Sequence, residues 1–207
     1  MFQLLQMEVI MTDNEKILEG QLRECYGRVV YSHKTHEKCA DILFDRHKKI
    51  KLLQILLSAL VTGGLVTALF EFDALADYTK CGAFVAVVLS TLLLVLNSYT
   101  KDYDLGEIAQ KHRQAGADLW IIRERYLSLL TDIRLNAASL NEIRMQRDRL
   151  VEDLHAVYTG APSTNYKAYS KAQNALKNLE DMTFSDNEID AFLPRELKRG
   201  ITTPLNP

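Results

Sequence analysis

The chain has 207 residues, with 25 Lys and Arg against 27 Asp and Glu, for a formal net charge of −2. That balance excludes a nucleic-acid surface driven by bulk positive charge, so direct nucleic-acid binding is not expected. Three scattered cysteines, Cys25, Cys39 and Cys81, contain no CxxC pair and exclude a disulfide framework.

The first apolar stretch, Phe2 to Ile10, is interrupted by Gln3, Gln6 and Glu8 and has no basic start, so it does not read as a cleavable signal. Met7 or Met11 is an alternative start, because Met11-Thr12-Asp13-Asn14-Glu15 reads as a helix entry. Residues 1–51 are expected to form an N-terminal cytoplasmic helix. Between Asn14 and Ile50, Leu18, Leu22, Cys25, Tyr26, Val29 and Leu43 fall largely at spacings of three and four, with no proline to interrupt them. His33, His36 and Cys39 form the best metal-ligand pattern in the chain. On a helix they drift around one side, so two of them can share an ion but three at once is awkward. Ordinary solvated or seam residues are the favoured reading, and no metal or cofactor is assigned.

Two runs then stand out. Residues 52–70, LLQILLSALVTGGLVTALF, and 81–99, CGAFVAVVLSTLLLVLNSY, are each 19 residues long without a charge. At about 1.5 Å per residue each reaches roughly 28 Å, close to the thickness of a bilayer's hydrocarbon. A soluble core would have to cover every face of both helices. The connecting stretch 71–80 is too short for a domain, so 52–99 reads as an antiparallel transmembrane hairpin. Arg46, Lys48, Lys49 and Lys51 precede it, and Lys101, Lys111 and Arg113 follow, whereas the loop has only Lys80. This asymmetry places both termini in the cytoplasm.

Helices in lipid associate through small residues and hydrogen bonds. Gly82, Ala86 and Ser90 form a small-residue ladder in the second span. Ala59, Gly63 and Thr67 form one in the first, with Gly64 and Ala68 alongside. Gln54, Ser58 and Thr62 make a polar stripe, and Asn97 is a polar group of the second span. The stripe reads either as a pore lining or as hydrogen bonding within the hairpin or between copies. The absence of charged residues and histidine from both spans disfavours a proton relay.

Residues 100–160 are expected to form one long cytoplasmic coiled-coil helix. Its seam runs Leu119, Tyr126, Ile133, Leu140, Arg147, Leu154 and Ile122, Leu129, Asn136, Ile143, Leu150, Val157. Asn136 and Arg147 break the apolar seam. Such residues act as a polar switch that fixes register and copy number, or mark where the seam opens to another helix. His112 and His155 read as isolated. Residues 161–207 form a C-terminal helical segment and tail. Gly160-Ala161-Pro162-Ser163 is a break, Ser163 or Thr164 caps a helix through Met182 with Tyr169, Ala172, Leu176 and Leu179 on one face, and Ser185 to Glu188 is a capping box. Ile201 to Pro207 reads as a frayed tail. No phosphate-binding or nucleophile motif is present, so an enzyme is not expected. The fold class is an all-α membrane protein: a two-helix transmembrane hairpin with long cytoplasmic helices in a coiled coil or bundle.

In this order the chain resembles the SLATT family of two-transmembrane effectors of bacterial conflict systems. The resemblance rests on the basic entry Asp45-Arg46-His47-Lys48-Lys49-Ile50-Lys51, the paired spans, the stretch Glu107 to Trp120 and Arg123-Glu124-Arg125-Tyr126. The closing Phe192-Leu193-Pro194-Arg195-Glu196-Leu197 is similar to the end of a subgroup encoded beside reverse transcriptases. The resemblance implies an antiphage effector of the bacterial inner membrane, held inactive until a partner senses infection, that then forms homo-oligomers and breaches the bilayer. It implies a sensor partner, such as a reverse transcriptase complex or a nucleotide second-messenger system.

Overall fold

The computed structural model describes residues 13–69, 76–179, 182–194 and 198, with the side chains of 67–69 and 76–81 excepted. Part of the loop 71–80, the segment around Met7 and Met11, the tail Ile201–Pro207 and the Arg195–Leu197 part of the closing motif lie outside these residues. Among the described residues every regular element is a helix.

The first helix, α1 (Asp13–Leu69), is continuous from the soluble end of the molecule through the first span. No proline and no capping sequence separates its amphipathic half from its apolar half, so the hydrogen-bond ladder has no reason to stop at Leu52. At about 1.5 Å per residue it is ~85 Å long. The second helix, α2 (Ala76–Asp102), holds the second span and returns beside it. Only 6 % of the residues in either apolar window are buried, so the rest of the chain does not cover these helices as a soluble core would. Ile55, Leu60, Phe84, Leu94 and Val95 all point outward, as lipid-facing side chains must.

A short elbow joins α2 to α3 (Leu105–Leu135). The Asp104 side chain accepts hydrogen bonds from the N–H groups of Gly106 and Glu107, at 2.8 and 3.1 Å, and starts α3 as its N-cap. These N–H groups hold the Asp104 carboxyl below the usual carboxylate range. Gly106 leaves room for His47 of α1, since a Cβ there would lie 3.1 Å from both Asp104 Oδ1 and His47 Cε1. α3 then packs along the soluble half of α1.

The single long helix expected over 100–160 is two. α3 ends at Leu135, and Asn136 takes a left-handed conformation, φ 49° and ψ 36°. Its N–H reaches back to the carbonyls of Asp132 and Ile133. Ser139 and Glu142 form a capping box that opens α4 (Leu140–Gly160). Asn136 is therefore a helix terminator and not a polar residue inside a coiled-coil seam. Asn is among the few residues with a side chain that adopt positive φ routinely. Asn136→Ala is expected to cost about 1–2 kcal/mol and Asn136→Gly little or nothing, read from unfolding of the purified chain in detergent.

The turn folds α4 back onto α3, and the former seam becomes the core of a three-helix bundle. Leu18, Leu22 and Val29 of α1, Leu119, Ile122, Tyr126, Leu129 and Ile133 of α3, and Ile143 and Leu150 of α4 are all buried together. Arg147, expected in the seam, lies at the bundle's side. It donates to Gln21 Oε1 at 2.9 Å and to Asp148, tying α4 to α1. At the end away from the membrane, Arg134 of α3 is paired with the buried Glu19 of α1.

After α4 the chain continues toward the membrane as α5 (Tyr166–Asn178). Asn165, not Ser163 or Thr164, is its N-cap, and the helix stops at Asn178, short of Met182. Its buried face is Ala168, Ala172 and Ala175, whereas Leu179, expected on that face, is largely exposed. The alanines let the α5 backbone approach α1 closely, with Ala168 packed on Cys39 and Ile42. Burial pushes the Cys39 thiol up. A last helix, α6 (Asp186–Phe192), opens on the Ser185–Glu188 capping box expected from the sequence.

Candidate functional site

The molecule has two polar centres on one axis: a clamp inside the membrane hairpin and a histidine cluster in the neck above it. Each is built by residues that meet because α1 runs antiparallel to α2 and α3.

Gln54, one of three polar side chains meeting between α1 and α2, donates from Nε2 to Asn97 Oδ1 at 2.8 Å and to Thr100 Oγ1 at 3.0 Å. It sits within the first turn of the span. Among lipid tails its amide has no water to turn to, so this pair links the two helices at the membrane entrance. Deeper in, a Cβ on Gly64 would lie 3.1 Å from Ala86 Cβ and 3.8 Å from the Gly82 carbonyl oxygen. Gly64, Gly82 and the buried Ala86 thus mark the close crossing of the spans.

Ser58, Thr62, Ser90 and Gly63 do not join this contact, and the side chains of Thr67 and Ala68 lie outside the described residues. Ser58 donates to the Gln54 carbonyl at 2.8 Å and Thr62 to the Ser58 carbonyl at 2.9 Å, both within α1. Ser90 likewise donates to the Val87 carbonyl. Each hydroxyl satisfies itself against its own helix and faces outward. Gly63 also faces open space, with no atom near the place a Cβ would occupy. Within one hairpin, then, Gln54 and Asn97 are interhelical, while Ser58, Thr62 and Gly63 lie on the hairpin's outer surface.

At the elbow, His47 Nδ1 lies 3.8 Å from Asp104 Oδ1. Tyr99 and Tyr103 stack almost parallel, 5.8 Å apart, beside the end of the second span, where amphipathic rings favour the interface.

The neck is the less expected centre. His36 of α1 and His112 of α3 face each other, Nδ1 to Nδ1, at 2.9 Å. His33 hydrogen-bonds through Nδ1 with the Gly116 carbonyl at 2.8 Å, which fixes the proton on that nitrogen. Its Nε2 lies 3.7 Å from Glu37. The Trp120 ring is held between His33, 5.4 Å away, and the Arg123 guanidinium, 4.3 Å above it. All three histidines are buried.

A contact between two imidazole nitrogens needs one N–H and one bare lone pair, so at most one ring of the pair carries a charge. Burial, then the nearby His112 and His33, pushes the His36 ring down to about 4. Burial also lowers His112. Near neutral pH the neck is an uncharged hydrogen-bonded pair inside the packing of α1 on α3.

His112, which reads as isolated in the sequence, is therefore the partner of His36. Cys39, the third member of the sequence's metal pattern, turns instead to α5, where Asn165 donates to its sulfur at 3.8 Å. Among the described residues no group of three metal-ligating side chains converges.

The order of these parts has a counterpart in known sequences. A family model described as the SMODS and SLOG-associating 2TM effector domain family 4 matches residues 18–188. The chain belongs to this family. The matched stretch takes in both spans, the whole bundle and α5. No curated protein and no solved structure gives a significant match. Family membership and the two exposed apolar helices together make this SLATT chain a membrane effector of conflict systems.

Proposed function

We propose that this protein is an antiphage defence effector of the bacterial inner membrane, with both termini cytoplasmic. When a sensor partner or nucleotide signal engages the cytoplasmic bundle, its hairpins assemble into a homo-oligomer that breaches or depolarises the membrane. A partner such as a reverse transcriptase complex would serve as that sensor. The observation that carries this reading is the continuity of α1. One helix forms a side of the bundle, carries the His36 half of the neck pair, and ends as the first span. A change in the bundle therefore has a rigid path to the membrane.

The outward-facing surface of the hairpin supports assembly. Ser58, Thr62 and Gly63 leave a small, partly polar stripe uncovered in one copy, and small faces are what let helices approach in lipid. A second reading, a non-conducting anchor whose bundle recruits partners, is favoured by one detail: the Ser58 and Thr62 hydroxyls are already satisfied by their own helix.

Membrane potential separates the two. In bacteria expressing the chain with its genomic neighbours, a potential-sensitive dye should report depolarisation on phage challenge. Gly63→Leu should abolish it, because a Cβ there meets nothing within 4 Å in the single hairpin, whereas the bulkier side chain would obstruct a second copy. An unchanged potential with the protein confirmed in the membrane would establish the anchor instead.

A further inference from the structure

Between α1, α3 and α5, just above the start of the first span, lies an open cleft of about 770 Å³. Lys38 and Lys48 of α1, Arg113 of α3 and Lys171 of α5 line it. Against these four cations stand two carboxylates, Asp41 and Asp45. Arg113 is engaged: it lies 3.7 Å from Asp41 and stacks over Phe44 at 5.0 Å. Lys38, Lys48 and Lys171 have no ion-pair or hydrogen-bond partner among the described residues. Three helices thus bring four positive charges together against two negative ones, and the excess costs stability unless an anion arrives.

The height of the cleft identifies that anion. Lys48 precedes Leu52, the first residue of the span, by one helical turn, or about 6 Å along the axis. Headgroups occupy roughly 5–8 Å beyond the hydrocarbon on each side, so Lys48 lies at the level of lipid phosphates. Lys38 lies some 15 Å higher and closes the far end. Phe44 and the exposed Leu179 add apolar surface to the same cleft. Basic pockets at this depth are a recurrent way for membrane proteins to hold anionic headgroups.

We propose that this cleft is a binding site for the headgroup of an anionic phospholipid, with the phosphate held by Lys48 and Lys171. Lys38 extends the positive field upward, and Asp41 and Asp45 accept hydrogen bonds from hydroxyls of a polyol headgroup such as phosphatidylglycerol. A bound lipid would bridge α1 to α5 and fasten the end of the returning chain to the membrane. The site rests on the membrane placement of the spans and not on effector activity, so it can fail without the effector reading failing.

Occupancy is read as the heat of binding by titration calorimetry, since Trp120, the one tryptophan of the chain, lines an adjoining cleft and not this one. The full chain in mild detergent would be titrated with short-chain phosphatidylglycerol, short-chain phosphatidylcholine and glycerol 3-phosphate. The expected result is a saturable heat with phosphatidylglycerol that is absent with phosphatidylcholine. Lys48→Gln/Lys171→Gln should weaken it at least tenfold. Lys49→Gln/Lys51→Gln removes equal charge at the same depth from residues outside the cleft and should leave it intact. Equal response to both lipids, equal loss in both double variants, or full retention in Lys48→Gln/Lys171→Gln would each overturn the proposal. Binding of glycerol 3-phosphate as tight as that of the lipid would overturn the lipid assignment in favour of a soluble phosphate ester.

Discussion

Leu22→Ala should lower the unfolding free energy by about 2–5 kcal/mol, measured by circular dichroism on the full chain in detergent. Leu22 has no exposed surface and sits among side chains from all three bundle helices. Removing its branched end leaves a cavity that α3 and α4 close only in part, because α4 is also held by Arg147 to Gln21 and by Tyr158 to Ser32. The comparison is Ile17→Ala. Ile17 is on the same helix but 72 % exposed, and its truncation should change stability by no more than about 0.5 kcal/mol. Equal effects of the two substitutions would show that this face of α1 is not the packed one.

Acidification should act on the neck. His36 titrates at about 4 in the folded chain against 6.5 for an ordinary imidazole, so between these values the unfolded chain binds more protons than the folded one. Stability is then complete above pH 6.5 and is lost as the pH falls from 6.5 toward 4. The loss from this ring is about 2 kcal/mol by pH 5 and about 3 kcal/mol at the lower end, at ~1.36 kcal/mol per unit. His112, shifted in the same direction, titrates jointly with His36, so the two steps belong to the pair. The groups facing them are few: His33 on the same helix, itself bonded to Gly116, and Glu37 beyond it. The measurement is thermal unfolding at pH 7.5 and pH 5, with His36→Gln as the control. The variant should be less sensitive to pH across this range than the parent; an identical pH dependence would mean that the neck pair does not couple to folding.

Those two regions were legible in the sequence to different degrees. The spans and their hairpin follow from uncharged length alone, because lipid imposes one requirement on every residue of the run. The helical pattern of Leu18, Leu22 and Val29 was also visible, and its apolar stripe is the face that α3 and α4 cover. The break at Asn136 was hidden by periodicity: Leu129, Asn136 and Ile143 keep step with a heptad although the chain reverses between them. The local signal was present, since Ser139-Leu140-Asn141-Glu142 has the same capping pattern as Ser185 to Glu188. In α5, three cap-competent residues stand in a row, and nothing local separates Asn165, which caps Ala168 and also reaches Cys39 of α1, from its two neighbours. The His36–His112 contact was not legible from either neighbourhood. It follows only when the antiparallel register at Gln54–Asn97 is carried up the molecule, where it holds to within roughly three residues as far as Glu19–Arg134.

The unbroken α1 also sets a mechanical ratio. If it tilts as a rigid rod about the membrane surface at Leu52, its soluble arm is about 58 Å long and its buried arm about 28 Å. One degree of tilt then moves the Asp13 end by about 1 Å and the tip of the span by half as much. Such a rod would be a lever of about two to one: a weak push acting over a long stroke at the bundle would arrive in the bilayer as a doubled force over a short one. A sensor pressing on the far end of the bundle would need neither to enter the membrane nor to bind tightly near it.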